Sequence, residues 1–534
     1  MILFFKNYSK TITSSAIIIS VATLVSRLIG LLRDRIFAHF YGISSTMDAY
    51  YASFKIPDLI FNLLIIGALS AGFIPTFTKL FLKNKNDAFK LANNIINIIG
   101  ITLIILCGLG IIFTSQIAPL IGPGFDAETI KITVELTRIM FISPLLLGIS
   151  MVFGGILQSL RQFLLYSIAP IFYNVGIIIG TVFLTKIFGI SGLAYGVVLG
   201  AFMHFTIQLI GAYKAGFRWK WYFNLKDTNT KLIGKLMVPR TLGIGIYQLN
   251  VVVITILAST LPIGSVAVYN YANNLQGVAV GIIGIPFALA SFPVLSKYAA
   301  KDNMKKFVNI LSSTIRKVLF LIVPATVLIL LLRAQIVRVV LGSGAFNWSA
   351  TIQTADALAF FAISLFAQSL IPLFARSFYS LSNTKTPFLI ALFSEIITLI
   401  LAFYLMKTMA VSGLALAISV GSIINLSLLI ITIRHTCKSL EIKKILSSLF
   451  KISIASFAMA IIIQILKYQL VPFFDQKYFW GIFGQGFISG TIGLVFYFVL
   501  CYYLGLPELI NFKESFTKKW LKIKDLPSEA NIEK

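Results

Sequence analysis

Apolar residues fall in long runs separated by short breaks rich in Lys, Arg, Pro and Gly. In chain order the runs lie at about residues 12–34, 50–78, 91–113, 133–157, 163–185, 190–213, 236–260, 265–295, 310–332, 354–380, 386–406, 411–433, 446–468 and 479–504. Each approaches the roughly 20 residues that carry a helix across a hydrocarbon core of about 30 Å. In that solvent the backbone must satisfy its own hydrogen bonds, and a helix does so within one segment. The pattern predicts an all-α polytopic membrane protein of about 14 transmembrane helices.

A repeat runs through these spans. Ser191-Gly192-Leu193-Ala194 recurs as Ser412-Gly413-Leu414-Ala415, an offset of 221 residues (412 − 191), and the same offset places Ser159-Leu160 over Ser380-Leu381. The chain parses into an N-lobe of six spans at 1–222, a C-lobe of six at 223–440, and 441–534 with two additional spans and a basic tail. An even number of spans per repeat keeps the two in parallel orientation, so the pattern predicts pseudo-symmetric lobes around a central cavity, rocking against each other.

Composition narrows the class. Of 534 residues, 58% are hydrophobic and 12% charged, with a mean hydropathy of +0.92. The net charge of +27 comes from basic residues that punctuate the apolar runs, which argues for topological signals beside anionic headgroups and against nucleic acid. With the N-terminus inside, inner segments hold about 28 Lys and Arg and outer loops about 9, so both termini are expected in the cytoplasm. The stretch KAGFRWKWYFNLKD, Lys214 to Asp227, and the tail FKESFTKKWLKIK then lie on that side. Cys107, Cys437 and Cys501 form no disulfide framework, and His39, His204 and His435 are isolated, so no metal site is expected. There is no GxxxxGK followed by Ser or Thr, hence no sign of ATP hydrolysis, and Asp126 and Glu128 read as solvated loop residues. The chain reads as a transporter without an enzyme's motifs.

Charges inside the spans are the candidate chemistry. On a helical projection of residues 22–36, Ala22, Thr23, Ser26, Arg27, Gly30, Arg33 and Asp34 share an arc of about 140°, and Leu24, Val25, Leu28, Leu31, Leu32 and Ile36 take the other side. Arg35 projects away from the charged face. Arg27 lies two turns inside the span, where a lipid-facing charge costs at least about 2.5–3.5 kcal/mol, so it should meet a partner or a water-filled cavity. Asp48, Lys55 and Asp58 enter the second span, Arg376 lies in the tenth and Glu395 in the eleventh. Arg138 and Arg240 sit near span ends and read as interfacial anchors. Glu395 is placed to pair with a basic residue, take a proton or hold a cation. Prolines 57, 75, 144, 170, 286, 293, 324 and 372 fall within the spans, as kinks or packing features.

Several separated motifs then line up in order: SRLIGLLRDR at 26–35, MDAYYASFKIPDL at 47–59, GALSAGFIP at 67–75, GPGF at 122–125, IAPIFYNVGIIIG at 168–180, LGSGAF and TADAL within 341–358, and RSFYSLSNTKTP at 376–387. On these the chain resembles the MurJ (MviN) lipid II flippases of the multidrug/oligosaccharidyl-lipid/polysaccharide exporter superfamily. The resemblance implies a bacterial inner-membrane transporter that carries undecaprenyl-diphosphate-linked peptidoglycan precursor from the inner to the outer leaflet by alternating access, alongside the peptidoglycan-synthesis machinery. It assigns Ser26, Arg27, Arg33, Asp34, Asp48, Lys55 and Arg376 to substrate binding. Arg27 and Arg33 would hold the diphosphate by forked donation, with Asp34 and Asp48 orienting them. No cofactor is implied. Energy would come from the membrane potential or from Na⁺ or H⁺ coupling, with Glu395 assigned to the ion. The chain departs from the family where basic residues are usual, with Phe61, Asn62 and Asn274, and where Glu is usual, with Ile66. Two alternatives stay open: a flippase for another polyprenyl-linked oligosaccharide, and a drug/cation antiporter of the same superfamily.

Overall fold

The computed structural model describes residues 12–66, 72–437 and 440–509, with side chains from residue 19 onward except 66, 238–240 and 242–244. The basic tail, the Gly67–Ala71 part of GALSAGFIP and the Arg240 side chain lie outside the described residues.

Every regular element among the described residues is helical. Helix α1 is Ile12–Tyr41, α2 Ser45–Ser53, α3 Lys55–Phe61, α4 Ile74–Lys83 and α5 Lys85–Ile121. They are followed by α6 Ala127–Met140, α7 Ile142–Ser159, α8 Phe163–Ile179, α9 Thr185–Phe188, α10 Ser191–Lys214 and α11 Thr228–Ser259. The remainder are α12 Ser265–Ala279, α13 Ile285–Ala300, α14 Met304–Leu341, α15 Trp348–Ala362, α16 Leu365–Ser380, α17 Lys385–Cys437, α18 Ile442–Gln469 and α19 Phe479–Tyr503. Wider π turns interrupt the helical path at Asn62–Ile66, Gly180–Leu184 and Val280–Gly284.

Among the described residues, 9 helical spans are long and apolar enough to cross a bilayer, or 10 counting the pair α15–α16, bent by 45°. Helix α17, at 53 residues, covers two of the expected spans and breaks at Ala410, whose φ is 47°. The expected second span is not one helix. Its path passes through α2, α3 and a π turn, and α4 restarts with Pro75 in its first turn, where a missing N–H costs no helical bond.

The chain forms two compact units. One comprises Met1–Leu275, Val340–Ala357 and Ala391–Gly421; the other comprises Gln276–Val339, Leu358–Ile390 and Ser422–Lys534. In the first, α8 and the π turn that follows it meet α10 through glycines. A Cβ on Gly180 would lie 2.2 Å from the Gly196 Cα, and one on Gly176 would lie 2.3 Å from the Gly200 Cα. Small residues at this spacing let two backbones touch in a lipid solvent that gives apolar side chains no reason to associate. Helix α1 packs against α8, which fixes the position of its charged face. Within the second unit, Phe307, Phe320, Phe374, Phe378, Met459 and Tyr497 belong to one buried core, and the Tyr497 hydroxyl donates to the Phe320 carbonyl at 2.8 Å.

The chain reverses on the same device in two places. Helix α7 ends with Arg161 at φ 58° and Gln162 N–H donating to the Leu157 carbonyl at 2.8 Å; α16 ends with Ser382 at φ 58° and Asn383 N–H donating to the Phe378 carbonyl at 3.0 Å. Both are Schellman caps, with the left-handed residue just past the helix. These caps are 221 residues apart (382 − 161), as are Gly189 and Ala410, the positive-φ residues that precede the two SGLA segments.

Candidate functional site

The polar face of α1 is held by residues from distant parts of the chain. Val21, Leu24, Val25, Leu28 and Leu32 are exposed on one side, and Ala22, Asp34, Phe37 and Ala38 are buried on the other. This is the division expected from the projection, except that Thr23 is exposed. Ser26 and Arg27 are half-buried, two turns ahead of the Arg33–Asp34 pair.

Arg33 donates to Asp34 Oδ1 through Nε at 3.1 Å and Nη2 at 2.7 Å, and through Nη1 to the Oδ1 of Asn174 on α8 at 3.0 Å. The Nδ2 of Asn174 donates to the Pro170 carbonyl at 3.1 Å, which turns its oxygen toward the guanidinium. Asp34 is only 3% exposed; its second oxygen accepts from Nδ2 of Asn274 on α12 at 2.9 Å. Arg33 also lies over the Phe37 ring, 5.7 Å from its centroid, and its side chain keeps 21% exposure. A guanidinium has five N–H groups, and three are used here; among the described residues the other two have no partner.

Around this pair stands an aromatic cluster. Tyr50 packs on Phe37 at 4.9 Å, Tyr51 on Tyr271 at 5.9 Å and Tyr271 on Phe346 at 6.0 Å, which accounts for the tyrosines of MDAYYASF and for Tyr271 of YNYANN. The C-terminal end of α1 is tied to two other segments. Tyr271 donates to the Gly42 carbonyl at 3.3 Å, and the Ala345 N–H donates to the His39 carbonyl at 2.9 Å. Gly344 of LGSGAF has φ +54°, and a Cβ there would lie 2.3 Å from the His39 carbonyl oxygen, so a side chain is excluded by both conformation and space.

Asp48 has a task in the fold itself. Its Oδ2 accepts from the Gly264 N–H at 2.6 Å and its Oδ1 from the Ala267 N–H at 2.8 Å, so both oxygens close the N-terminus of α12. Lys55 is buried at the start of α3, one turn before Asp58, and its ammonium has no hydrogen-bond partner among the described residues. Glu395 on α17 accepts from the Nδ2 of Asn250 on α11. Arg376 lies half-buried on α16 in the second unit. Asn62 donates to the Asp58 carbonyl at 2.8 Å, and Arg138 donates to Ser115 at 2.9 Å. Arg35 points away from the pair and donates to the Val340 carbonyl at 3.4 Å. Among the described residues no three His, Cys, Asp or Glu side chains gather as a metal site would require.

Thus the structure joins Arg33 and Asp34 and adds Asn174 and Asn274, which the charge pattern did not select. Asn174 sits in the IAPIFYNVG motif, and Asn274 stands where the family usually carries a cation. An uncharged polar residue inside an apolar run was the available signal in both cases.

The profile of the family described as lipid II flippase MurJ matches residues 37–484. A probable lipid II flippase MurJ from Buchnera aphidicola subsp. Baizongia pistaciae is 29% identical over 506 residues, covering 93% of this chain and 97% of that one. A solved lipid II flippase MurJ in an inward closed conformation superposes with a TM-score of 0.76 at 25% identity, covering 95% of this chain and all of the other. An inward-facing multidrug resistance MATE transporter of the MOP superfamily shares the fold, with a TM-score of 0.67 at 16% identity over 78% of this chain and 95% of its own. With a family match across most of its length, the chain belongs to the MurJ family of lipid II flippases.

Proposed function

We propose that this chain moves lipid II, the undecaprenyl-diphosphate-linked peptidoglycan precursor, from the inner to the outer leaflet of a bacterial inner membrane. The observation that carries the reading is Arg33: a guanidinium fixed by Asp34, Asn174 and Phe37, still partly exposed, with two N–H groups to offer. A diphosphate presents a compact set of anionic oxygens, and a pre-positioned fork meets them with little loss of side-chain freedom. Arg27, Ser26 and Lys55 supply further donors on the N-terminal side of the chain, and Arg376 supplies one from the tenth span. Asp34 sets the orientation of Arg33, whereas Asp48 serves by holding α12 in place.

In this reading fourteen spans, both termini cytoplasmic, form lobes 1–222 and 223–440 that rock about a central cavity, with 441–534 as the added pair and tail. The recurrence of caps and positive-φ turns at the offset of 221 residues supports the duplication. The segments that tie the end of α1 then lie toward the outer face and must part for release. An interior-negative potential favours outward movement of negative charge by about 2.3 kcal/mol per charge per 100 mV, less whatever positive charge moves with it. Coupling to Na⁺ or H⁺ would run through Glu395, with Asn250 supplying its amide.

The test is replacement of a bacterium's own lipid II flippase by this chain. Restored growth and outer-leaflet lipid II are expected, and Arg27→Ala and Arg33→Ala should each weaken rescue at unchanged protein level. Failure of the correctly inserted chain to rescue would overturn the substrate, and full activity of both variants would overturn the site. An unchanged dependence on Na⁺ and pH in Glu395→Gln would remove that residue from coupling.

A further inference from the structure

The segment between α10 and α11 crosses α5 without a helix of its own, and three buried side chains hold it there. Asn93 donates to the Arg218 carbonyl at 3.1 Å and accepts from the Lys220 N–H at 2.8 Å. Asn94 donates to the Asn224 carbonyl at 2.8 Å and accepts from its N–H at 2.7 Å. Asn97 donates to the Tyr222 carbonyl at 3.0 Å, and its oxygen accepts from the Trp219 indole N–H at 3.2 Å. The carboxamides act as a second backbone. They satisfy the polar groups of an extended strap as a neighbouring strand would, through residues 218, 220, 222 and 224 on one side.

Period-two alternation then puts the side chains at the odd positions on one face of the strap, Trp219 keeping its indole N–H on Asn97. These are Trp219, Trp221, Phe223 and Leu225, exposed by 53%, 67%, 45% and 58%. Four large apolar side chains in a row facing water would be costly, since apolar surface left in water forfeits about 25 cal/mol per Å². The even positions add charge: Arg218, Lys220 and Lys226 are exposed, and Lys90 covers Tyr222 with its ammonium 4.7 Å from the ring centroid. Although most basic residues of the chain only punctuate its spans, here they alternate with aromatic ones.

Depth identifies the occupant. The strap lies beside Asn93–Asn97 of α5, and the very next stretch, residues 98–113, carries no charge and only Thr102 as a polar side chain. The strap therefore sits at the level where hydrocarbon begins. Trp belongs there because its ring is apolar and its N–H polar, and Lys and Arg belong there because anionic headgroups lie beside them. We infer that residues 218–226 form a rigid interfacial anchor that lays Trp219, Trp221, Phe223 and Leu225 into the headgroup boundary and gathers anionic lipid through Lys220 and Lys226. Unlike an amphipathic surface helix, it is ordered in advance by Asn93, Asn94 and Asn97, so little conformational entropy is lost when lipid packs on it.

The experiment uses the full chain with Trp348→Phe, Trp480→Phe and Trp520→Phe, leaving Trp219 and Trp221, reconstituted in phosphatidylcholine–phosphatidylglycerol vesicles. Lipid brominated near the glycerol end of its chains should lower the emission about twofold or more, and lipid brominated near the chain ends should do much less, because the indoles sit at headgroup depth. Brominated phosphatidylglycerol should quench in preference to brominated phosphatidylcholine, and that preference should fall about fivefold for each of Lys220→Gln and Lys226→Gln, the equivalent of about 1 kcal/mol per charge. If the triple substitution fails to assemble, emission lost on Trp219→Phe plus Trp221→Phe in the otherwise unchanged chain gives the same readout. Full access to aqueous iodide with no quenching by shallow bromine would overturn the anchor. Equal quenching by the two headgroups, unmoved by the lysine changes, would overturn the anionic preference. Iodide protection in native membranes that disappears in vesicles would assign the strip to a protein partner instead and refute the inference.

Discussion

Removing Arg33 or Asp34 tests the site at its most buried point. Two unit charges about 4 Å apart attract by about 4 kcal/mol at an effective dielectric constant of about 20, and desolvation offsets much of that in the folded chain. The offset vanishes when one partner is deleted. Arg33→Ala leaves a carboxylate, 3% exposed, with the Asn274 amide as its remaining side-chain donor, so a loss near about 3–5 kcal/mol is expected. Asp34→Ala leaves a guanidinium that keeps its bond to Asn174 and some solvent, and should cost less, about 2–3 kcal/mol. The double substitution removes both charges and should fall short of the sum by about 1.5–3 kcal/mol. Equilibrium unfolding of the purified chain in mixed micelles, run on all four proteins, gives the cycle. Arg35→Ala, which removes a cation outside this pair, among its bonds one of 3.4 Å to the Val340 carbonyl, is the control and should change less. Additivity within about 0.5 kcal/mol would refute the pairing, and an Arg33→Ala no less stable than Arg35→Ala would refute the burial argument with it.

Gly180→Ala places a Cβ 2.2 Å from the Gly196 Cα and should cost about 1–3 kcal/mol in the same unfolding assay, as overpacked sites do; an unchanged midpoint would refute the close contact with α10. Gly189 has φ +58° with nothing within 4 Å of an added Cβ, so Gly189→Ala should cost about 1–2 kcal/mol from backbone strain alone, and Ser382→Gly, at the same φ in a helix cap, should stabilise by up to about 1 kcal/mol. Opposite signs at these two positions are the expected outcome, and a gain at both would contradict it. Asp126 caps α6, and the Thr129 hydroxyl and N–H hold its carboxyl below the usual aspartate range. A lowered native pKa adds stability that is complete above the unfolded value and is lost as the pH falls through the native one. Hydrogen exchange in the first turn of α6 should therefore rise in Asp126→Ala at neutral pH and converge with the parent in acid.

How much of this was legible depended on whether the deciding contact was local. The division of α1 into a polar and an apolar face follows from 3.6-residue periodicity, and the burial of Asp34 against the exposure of Leu28 and Leu32 repeats it. The SGLA repeat was readable as text, and the turns ahead of each copy adopt positive φ. What could not be read was which distant residue would complete a polar group. Asn174 is 141 positions from Arg33, Asn274 is 240 from Asp34, and Gly264 is 216 from Asp48. Periodicity says that a charge faces inward, and only packing decides whether it meets a ligand, another charge or a bare helix end. Asp48 shows the consequence: a carboxylate that the charge pattern places beside the arginines also binds two backbone amides of α12.

Asn274 carries the last step. Asp34 offers one oxygen to Arg33 and needs a donor for the other, and a family cation at this position would supply both a hydrogen bond and a charge. Asparagine supplies the hydrogen bond alone, at 2.9 Å. The geometry that holds Arg33 is thereby kept while the local charge is lowered, and Arg33 with Asp34 makes a neutral pair. A diphosphate would find a shaped pair of N–H donors at Arg33 but no net positive charge there. In the proposed reading its electrostatic attraction comes from the other cations assigned to it, Arg27, Lys55 and Arg376. Lys55 is buried without a hydrogen-bond partner among the described residues, with Asp58 one turn on as a counter-charge, and an incoming anion would add to that compensation.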